Sequence, residues 1–374
     1  MNRITIRFVL CLLLLIMVLT AVSCKREEPV MAVEEPTAAE TSEPPAAQAQ
    51  PPETVPPTTE ATQPREERFL LTFAGDCTLG SNPNNYYADC GFIKTIGEDY
   101  GHPFRNVLTY FENDNFTIVN LEGALCDEGN PMQKKHVFRG PTAYVNILTQ
   151  NSVEAVTIAN NHSMDYGPKG YATTQATLEA AGIPYVERDS STLITTDSGL
   201  TIGLYGAVYY YLDVEDMTRE IAALREQGAE LVIVAPHWGT EGTYQPTPEQ
   251  VRVGRAAIDA GADIVYGSHP HVLQPIEEYN GGVIFYSMGN FSFGGNTCPD
   301  DFDTALIQQE VIRTADGTVT LGERIIVPAC VSSISGRNNF QPTPYDAGTE
   351  EYDRVMAKLS GTWNGANLKI TPAS

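Results

Sequence analysis

The stretch ADIVYGSHPHVLQ, residues 262–274, sets His269 and His271 one residue apart, just beyond an apolar run and a Gly-Ser turn. In extended or tightly turned backbone, alternate residues share a side. Two imidazoles so spaced reach one metal ion, or one each of two adjacent ions. Two loop histidines with ordinary hydrogen bonds would show the same spacing. The chain has only six histidines, and these two follow a predicted strand, Ile264–Gly267, at the kind of strand end where open α/β sheets hold ligands.

Four further segments share this form, an apolar run closing on metal-competent side chains. RFLLTFAGDCTLG ends in Asp76 and FTIVNLEGALC in Asn120 and Glu122. AVTIANNHSMDYG ends in Asn160, Asn161, His162 and Asp165, and ELVIVAPHWGTEG in His237 and Glu241. Each run is rich in β-branched and aromatic residues and bounded by turn formers, the pattern of a buried strand. Packing alone gives no reason for five strands to end in Asp, Glu, Asn or His. Carboxylate, imidazole and amide oxygen together suit Mn, Fe or Zn, and the lack of a CxxC pair argues against a structural zinc knot.

In order, GDCTLG, NLEGALC, ANNHSMDYG, HWGTEG, GSHPHVLQ and YSMGNFSF resemble the poly-γ-glutamate capsule-synthesis proteins of the CapA type, over roughly residues 68–335. That family resembles the calcineurin-like metallophosphoesterases. The resemblance implies an α/β fold: a metallophosphoesterase-like layered sandwich, two mixed β-sheets flanked by helices, in a single domain. It also implies roles. Asp76 matches the Asp of the first GD motif, and Glu122 stands where a bridging carboxylate stands. Asn161 matches the amide ligand of a Gly-Asn-His motif. His162 matches its non-ligand histidine, which meets the substrate, with Asp165 to steady it. His237 matches a single histidine after a strand, and His269 and His271 the terminal pair. Two departures are plain. Thr78 stands where the GD motif continues to a histidine, and a longer Glu replaces the bridging Asp. FRGP carries Arg139, a candidate for binding a substrate anion through its planar fork. Asn120 and Glu241 are further candidates for substrate contact. The implied cofactor is one or more divalent ions, Mn, Fe or Zn.

The elements that must position these residues alternate through the middle of the chain, which implies α/β layers. Predicted helices are Phe104–Asn113, Thr142–Gln150, Lys169–Ala181, Val214–Gln227 and Thr247–Ala260, the last with Pro248 in its first turn. Predicted strands are Phe116–Asn120, Ala155–Ala159, Thr201–Val208 and Glu230–Ala235, then Val283–Ser287, Thr304–Ile312 and Val319–Ile326 in a strand-rich last third. The polar loop from Ser81 to Phe104 is expected to cover part of the cleft. In YSMGNFSF, Gly289 and Asn290 suit a turn, and Asn290 could instead orient a ligand histidine. Trp238 reads as a packed wall. Residues 336–374 show weak pattern and form a C-terminal extension.

Ahead of this domain, residues 1–23 read as a secretion signal, with Arg3 and Arg7 before the apolar core Phe8–Val18. That core is short for a membrane span, and AVSC ends it like a bacterial lipoprotein site, so Cys24 is the expected lipid carrier and membrane anchor. Residues 24–67, rich in Pro, Glu, Ala and Thr, cannot bury enough apolar surface to offset chain entropy and read as a spacer. The expected location is extracytoplasmic, lipid-anchored to a bacterial cell membrane. A net charge of −24 argues against a nucleic-acid partner, which needs a basic footprint. Five cysteines, Cys77, Cys90, Cys126, Cys298 and Cys330, remain after Cys11 and Cys24, so at most two disulfides form within a chain.

Two functions suit this reading. One is a metal-dependent hydrolase or transferase of phosphoester or γ-glutamyl bonds. The other is a non-enzymatic factor that holds poly-γ-glutamate, or a related envelope polymer, beside a membrane synthase complex for assembly or export.

Overall fold

In a computed structural model, residues 66–85 and 88–369 are described. The secretion signal, Cys24 and nearly all of the spacer lie outside the described residues. Two mixed sheets form the centre. The eight-stranded sheet runs Thr343–Pro344, Val319–Cys330, Asp303–Arg313, Glu67–Thr78, Phe116–Leu121, Ala155–Thr157, Tyr185–Val186, with Asn290–Phe293 also pairing to the end of Glu67–Thr78. The six-stranded sheet runs Ile276–Tyr279, Gly282–Phe285, Ile264–Tyr266, Leu231–His237, Thr201–Val208, Ser190–Thr195. The first is antiparallel from Thr343–Pro344 to Glu67–Thr78 and parallel from there to Tyr185–Val186; the second has a parallel centre and an antiparallel strand at each edge.

Residue alternation explains the layering. Ile202, Leu204, Ile233, Ala235, Ile264 and Phe285 turn inward and meet Leu71, Phe73, Ile118 and Ala155 of the other sheet. The intervening Tyr205, Val232, Val234 and Val265 turn outward, under Met217, Ile221 and Leu224 of helix Val214–Glu226 and Val253 and Ala257 of helix Pro248–Asp259. Strands covered on both faces read as unbroken apolar runs rather than alternating ones, which is why they stood out in the sequence. Val119, Leu121 and Val156 on the outer face of the first sheet pack with Ile147 and Leu178 from the helices that cover it. The sandwich expected from the sequence is therefore present, with helices outside two facing sheets.

Several boundaries moved. The predicted helix Phe104–Asn113 is turns followed by the single helical turn Leu108–Phe111. Thr142–Gln150 splits into a 3-10 turn, Thr142–Tyr144, and a short helix, Val145–Thr149. The edge strands Ser190–Thr195 and Ile276–Tyr279 had no signal, because their side chains are largely half-exposed and polar. Helix Pro248–Asp259 starts as expected, with Pro248 at its first turn and a reciprocal cap between Thr247 and Gln250. The C-terminal extension contains a helix, Glu350–Leu359, whose Val355 and Leu359 pack on Leu273 and Ala305. Among the described residues of the loop from Ser81 to Phe104 none lines the cleft: Phe92, Ile96 and Phe104 are drawn into the outer core instead. Cys77, Cys90, Cys126, Cys298 and Cys330 are all free thiols. Among the described residues no helix is long and apolar enough to cross a membrane.

Candidate metal centre

The strand Glu67–Thr78 reaches the centre through a distortion. Its pairing with Phe116–Leu121 passes from Phe73 opposite Ile118 to Asp76 opposite Asn120, so one extra residue bulges between them. Bulges of this kind re-aim side chains beside functional sites. The bulge is held from below and beside. The Tyr266 hydroxyl of the facing sheet donates to the Ala74 carbonyl at 2.5 Å, and Asp76 N–H donates to Gly289 O at 2.8 Å. A Cβ on Gly75 would lie 2.1 Å from that Gly289 oxygen, so only glycine allows this approach. Asp76 and Glu122 emerge fully buried.

The opposite sheet delivers imidazoles. His237 closes the strand Leu231–His237. His269 and His271 flank Pro270 with φ of +98° and +58°, a region that costs side-chain-bearing residues of order 1–3 kcal/mol each and persists where surrounding structure imposes it. Here Trp238 N–H donates to Ser268 O at 3.0 Å and Gly242 N–H to Pro270 O at 2.8 Å, clamping the turn on both sides.

These groups converge on one oxygen. Glu122 Oε1 lies 3.7 Å from His271 Nε2 and 3.8 Å from both His162 Nε2 and His237 Nε2. It is buried and makes no hydrogen bond, and neither does His269 Nδ1 nor Asp76 Oδ2, whose near neighbour is His271 Nδ1 at 3.2 Å. Unpaired buried polar atoms cost free energy and are rare. Three of them aimed at common points fit a bound cation. Two sets of ligand atoms, each within 4.8 Å of one another, are Asp76, Glu122, His237 and Glu241, His269, His271.

Outer contacts fix each ligand. Asn120 Nδ2 donates to Asp76 Oδ1 at 2.8 Å and Glu122 Oε2 at 3.3 Å, while its oxygen accepts from Asn160 Nδ2 at 3.0 Å. His237 Nδ1 meets Ser268 Oγ at 2.9 Å, leaving Nε2 toward the centre and 2.9 Å from Asn161 Oδ1. His271 Nδ1 lies 3.0 Å from Asn290 Oδ1 and 3.2 Å from Asp76 Oδ2. His162 Nδ1 is 2.8 Å from Asp165 Oδ2, a carboxylate that also takes Phe138 N–H at 2.5 Å and Lys134 Nζ at 2.5 Å. The His162 ring rests against Phe138, centroids 4.5 Å apart.

The protonation states follow from burial and from neighbouring charges. Burial holds His237 well below the usual imidazole range, and burial with His271 nearby lowers His269 to about 3. Burial also lowers His162 against the pull of Asp165. All three are therefore neutral, the form that ligates or accepts a proton. Burial drives Glu122 well above the carboxylate range, eased by the charge of His271. Burial opposes charge on His271 too, yet Glu122 and Asp76 prevail and push it up to about 10. A proton on His271 thus supplies the positive charge that the acidic groups need.

A cleft of about 270 Å³ opens from this centre, lined by His162, Glu241, His271, Asn290, Phe138 and Lys135 among others. Asp76, Glu122, Asn161, His162, Asp165, His237, Glu241, His269 and His271 all come together at or beside the centre. Two sequence-based candidates do not serve as expected. Asn120 is fully buried and spends both ends of its amide on Asp76, Glu122 and Asn160, so it orients ligands and cannot reach substrate. Arg139 turns away from the cleft: its Nη1 donates to Asp127 O at 3.2 Å and its guanidinium lies 5.0 Å over the Tyr166 ring. Besides His271, the positive side chains lining the cleft are Lys135 and Lys369, whereas burial lowers the neighbouring His136 below the usual imidazole range. Thr78 donates to Glu122 O at 2.9 Å, a backbone support rather than a ligand. Cys77 packs in the outer core, and Trp238 is a buried wall whose Nε1 donates to Tyr286 O at 2.8 Å. Sequence reading passed over Ser268, which has no metal-type signature.

Comparison with known proteins adds the following. Residues 70–295 match the family described as bacterial capsule synthesis protein PGA_cap. Capsule biosynthesis protein CapA of Bacillus anthracis is 28% identical over 282 residues, 67% of this chain and 66% of that protein. PGA biosynthesis protein CapA of Bacillus subtilis is 29% identical over 275 residues, 66% of this chain and 68% of that protein. The chain thus spans about two thirds of the length of these curated relatives. Among solved structures, a Haemophilus influenzae NAD nucleotidase overlays 79% of this chain and 56% of its own at 12% identity, with a TM-score of 0.41. An overlay that loose says nothing of shared chemistry.

Proposed function

This chain belongs to the bacterial capsule synthesis protein family, and on that premise we propose that it acts on poly-γ-glutamate or a related envelope polymer through a divalent-metal centre. The polymer is inferred from what the Bacillus relatives are named for. The working reading is a hydrolase or transferase, held outside the cell membrane by a lipid on Cys24, beside a membrane synthase complex. The observation that carries it is the buried, unpartnered Glu122 Oε1 facing three imidazole nitrogens.

Asp76, Glu122 and His237 would hold one cation, with Asn161 Oδ1 beside them, and Glu241, His269 and His271 a second. When bound, Mn, Fe or Zn would supply Lewis acidity and lower the pKa of a coordinated water. The protein's own part is to position and to move a proton. Asp165 holds the proton of His162 at Nδ1, so Nε2 faces the cleft as a free acceptor. Lys134 Nζ pairs with Asp165 Oδ1 at 2.5 Å and holds the carboxylate in place beside His162. Phe138 shields the imidazole from one side.

One observation favours a second reading, an assembly or export factor without turnover. Thr78 supplies a backbone hydrogen bond where the resemblance implies a further histidine. His162→Ala separates the two. If the protein turns substrate over, this variant keeps its metal and loses activity by roughly 10²–10⁴-fold on a panel of phosphoesters and γ-glutamyl oligomers. Full metal with no turnover in the unmodified protein, and normal polymer output from cells carrying His162→Ala, would leave the assembly reading in place.

A further inference from the structure

Three backbone segments stack beside the candidate second cation position. Leu368 N–H donates to Gly242 O at 2.9 Å, and Gly242 N–H donates to Pro270 O at 2.8 Å. Gly242 follows Glu241, and Pro270 stands between His269 and His271. This short ladder therefore runs past all three members of the Glu241, His269, His271 set. The neighbouring residue adds a second clip, since Tyr244 N–H donates to Asn367 Oδ1 at 3.1 Å. A third comes from Trp363, whose ring lies edge-on to Tyr244 at 6.1 Å.

The anchor of this C-terminal segment is firm. The last turn of helix Glu350–Leu359 carries Lys358, 2% exposed, which bonds Asp301 Oδ2 and Asp303 Oδ2, both at 2.7 Å. The chain leaves that helix at Gly361 and returns across the cleft, where Leu368 and Lys369 line the opening. All of it lies beyond residues 70–295, the stretch matched by the family.

We propose that Asn367 and Leu368 are positioning residues for the Glu241, His269, His271 cation position, acting through the backbone of Gly242 and Pro270. Glu241 sits on a loop, and the two histidines sit in strained backbone. Neither is fixed by a regular ladder, so both depend on such braces. The Gln274 side chain braces the same loop from the other side, donating to Thr243 O at 2.7 Å. Loss of the C-terminal clip therefore loosens the position without unfolding it. The inference rests on the two-cation reading above.

The test is Mn²⁺ titration of chelator-stripped protein by calorimetry, with elemental analysis of the saturated sample. The full chain should take up two equivalents. Leu368→Pro removes the N–H that Gly242 accepts, and truncation after Asn364 removes the clip while sparing Trp363. Both should hold the first equivalent unchanged and bind the second about tenfold more weakly, the low end of what an outer-shell brace contributes. Leu368→Ala keeps the N–H and should match the full chain. A purely structural role would lower metal-free melting temperature and leave the split between the equivalents alone. Two unaltered equivalents in Leu368→Pro and in the truncation would overturn the inference and leave the metal reading intact. A single equivalent in the full chain, untouched by Glu241→Ala, would do the same. No uptake by the full chain would overturn both.

Discussion

Two clusters of buried charge sit in this molecule, and they are built on opposite rules. Around Asp303, every charge finds a protein partner. Arg354 forms a two-pronged pair with its carboxylate, both contacts at 2.7 Å, Lys358 adds a third at 2.7 Å, and the Tyr345 hydroxyl donates at 3.1 Å. Although burial works the other way, Arg354 and Lys358 hold the Asp303 carboxyl below its ordinary range. Around Glu122, burial is as deep but the pairing is incomplete, and oxygens of Glu122 and Asp76 and a nitrogen of His269 are left without partners. The first cluster joins the C-terminal helix to the start of the interior strand Asp303–Arg313 and is complete in itself. In the second, a proton on His271 supplies the positive charge that a bound cation would replace. Burial of charge alone therefore does not mark a site; convergent unpaired atoms do.

Substitutions that treat the clusters alike should have unlike effects on the metal-free fold. Lys358→Met should be the largest. It strands Asp301 and part of Asp303 in a buried place, and breaking such a pair costs about 3 kcal/mol, readable as a lower urea midpoint with unchanged slope. A pH series comes next. In metal-free protein His271 is raised to about 10, so its stabilising contribution is whole below about pH 6.5 and is lost as pH climbs through 10. Glu122, also raised, acts in the same direction by favouring its protonated form in the fold. The melting temperature with chelator should therefore fall from pH 6.5 toward 10. Saturating Mn²⁺ should flatten the slope, because the cation replaces the proton. A flat profile without metal would refute the charge balance drawn for this cluster. Glu122→Gln should be the smallest. Removing a poorly solvated carboxylate while keeping its shape should alter metal-free unfolding by under about 1 kcal/mol, whereas metal uptake should collapse. A loss as large as that of Lys358→Met would erase the distinction between the clusters.

Much of the second cluster was legible in the chain because strand ends carry it. Asp76, His162, His237, His269 and His271 each follow an apolar run, and parallel strands covered on both faces announce themselves by composition. The first cluster was not legible at all. Asp301, Asp303, Arg354 and Lys358 are spread over polar stretches whose pairing depends on the last helix folding back, a contact across more than fifty residues. The role of Asn120 was misread for a related reason. Spacing places it at the centre but does not say which way its amide is spent, and three internal hydrogen bonds decide that. Arg139 was read from a motif, yet the local chain pairs it with Ser81 and turns its side chain over Tyr166. The strained turn of His269 and His271 likewise cannot be seen in HPH alone. It is imposed by Ser268, Gly242 and the backbone around them.

The central claim is that the unpaired atoms around Glu122 are cation ligands. Elemental analysis of protein purified without added chelator, beside the double variant His269→Ala with His271→Ala, tests it most directly. The unmodified chain should hold a stoichiometric transition metal that is lost or sharply reduced in the variant, with a metal-dependent rise in melting temperature in the first alone, since binding to the native state adds to stability. Equal metal content in the two proteins, or none in either after Mn²⁺, Fe²⁺ and Zn²⁺ have each been offered, would contradict it.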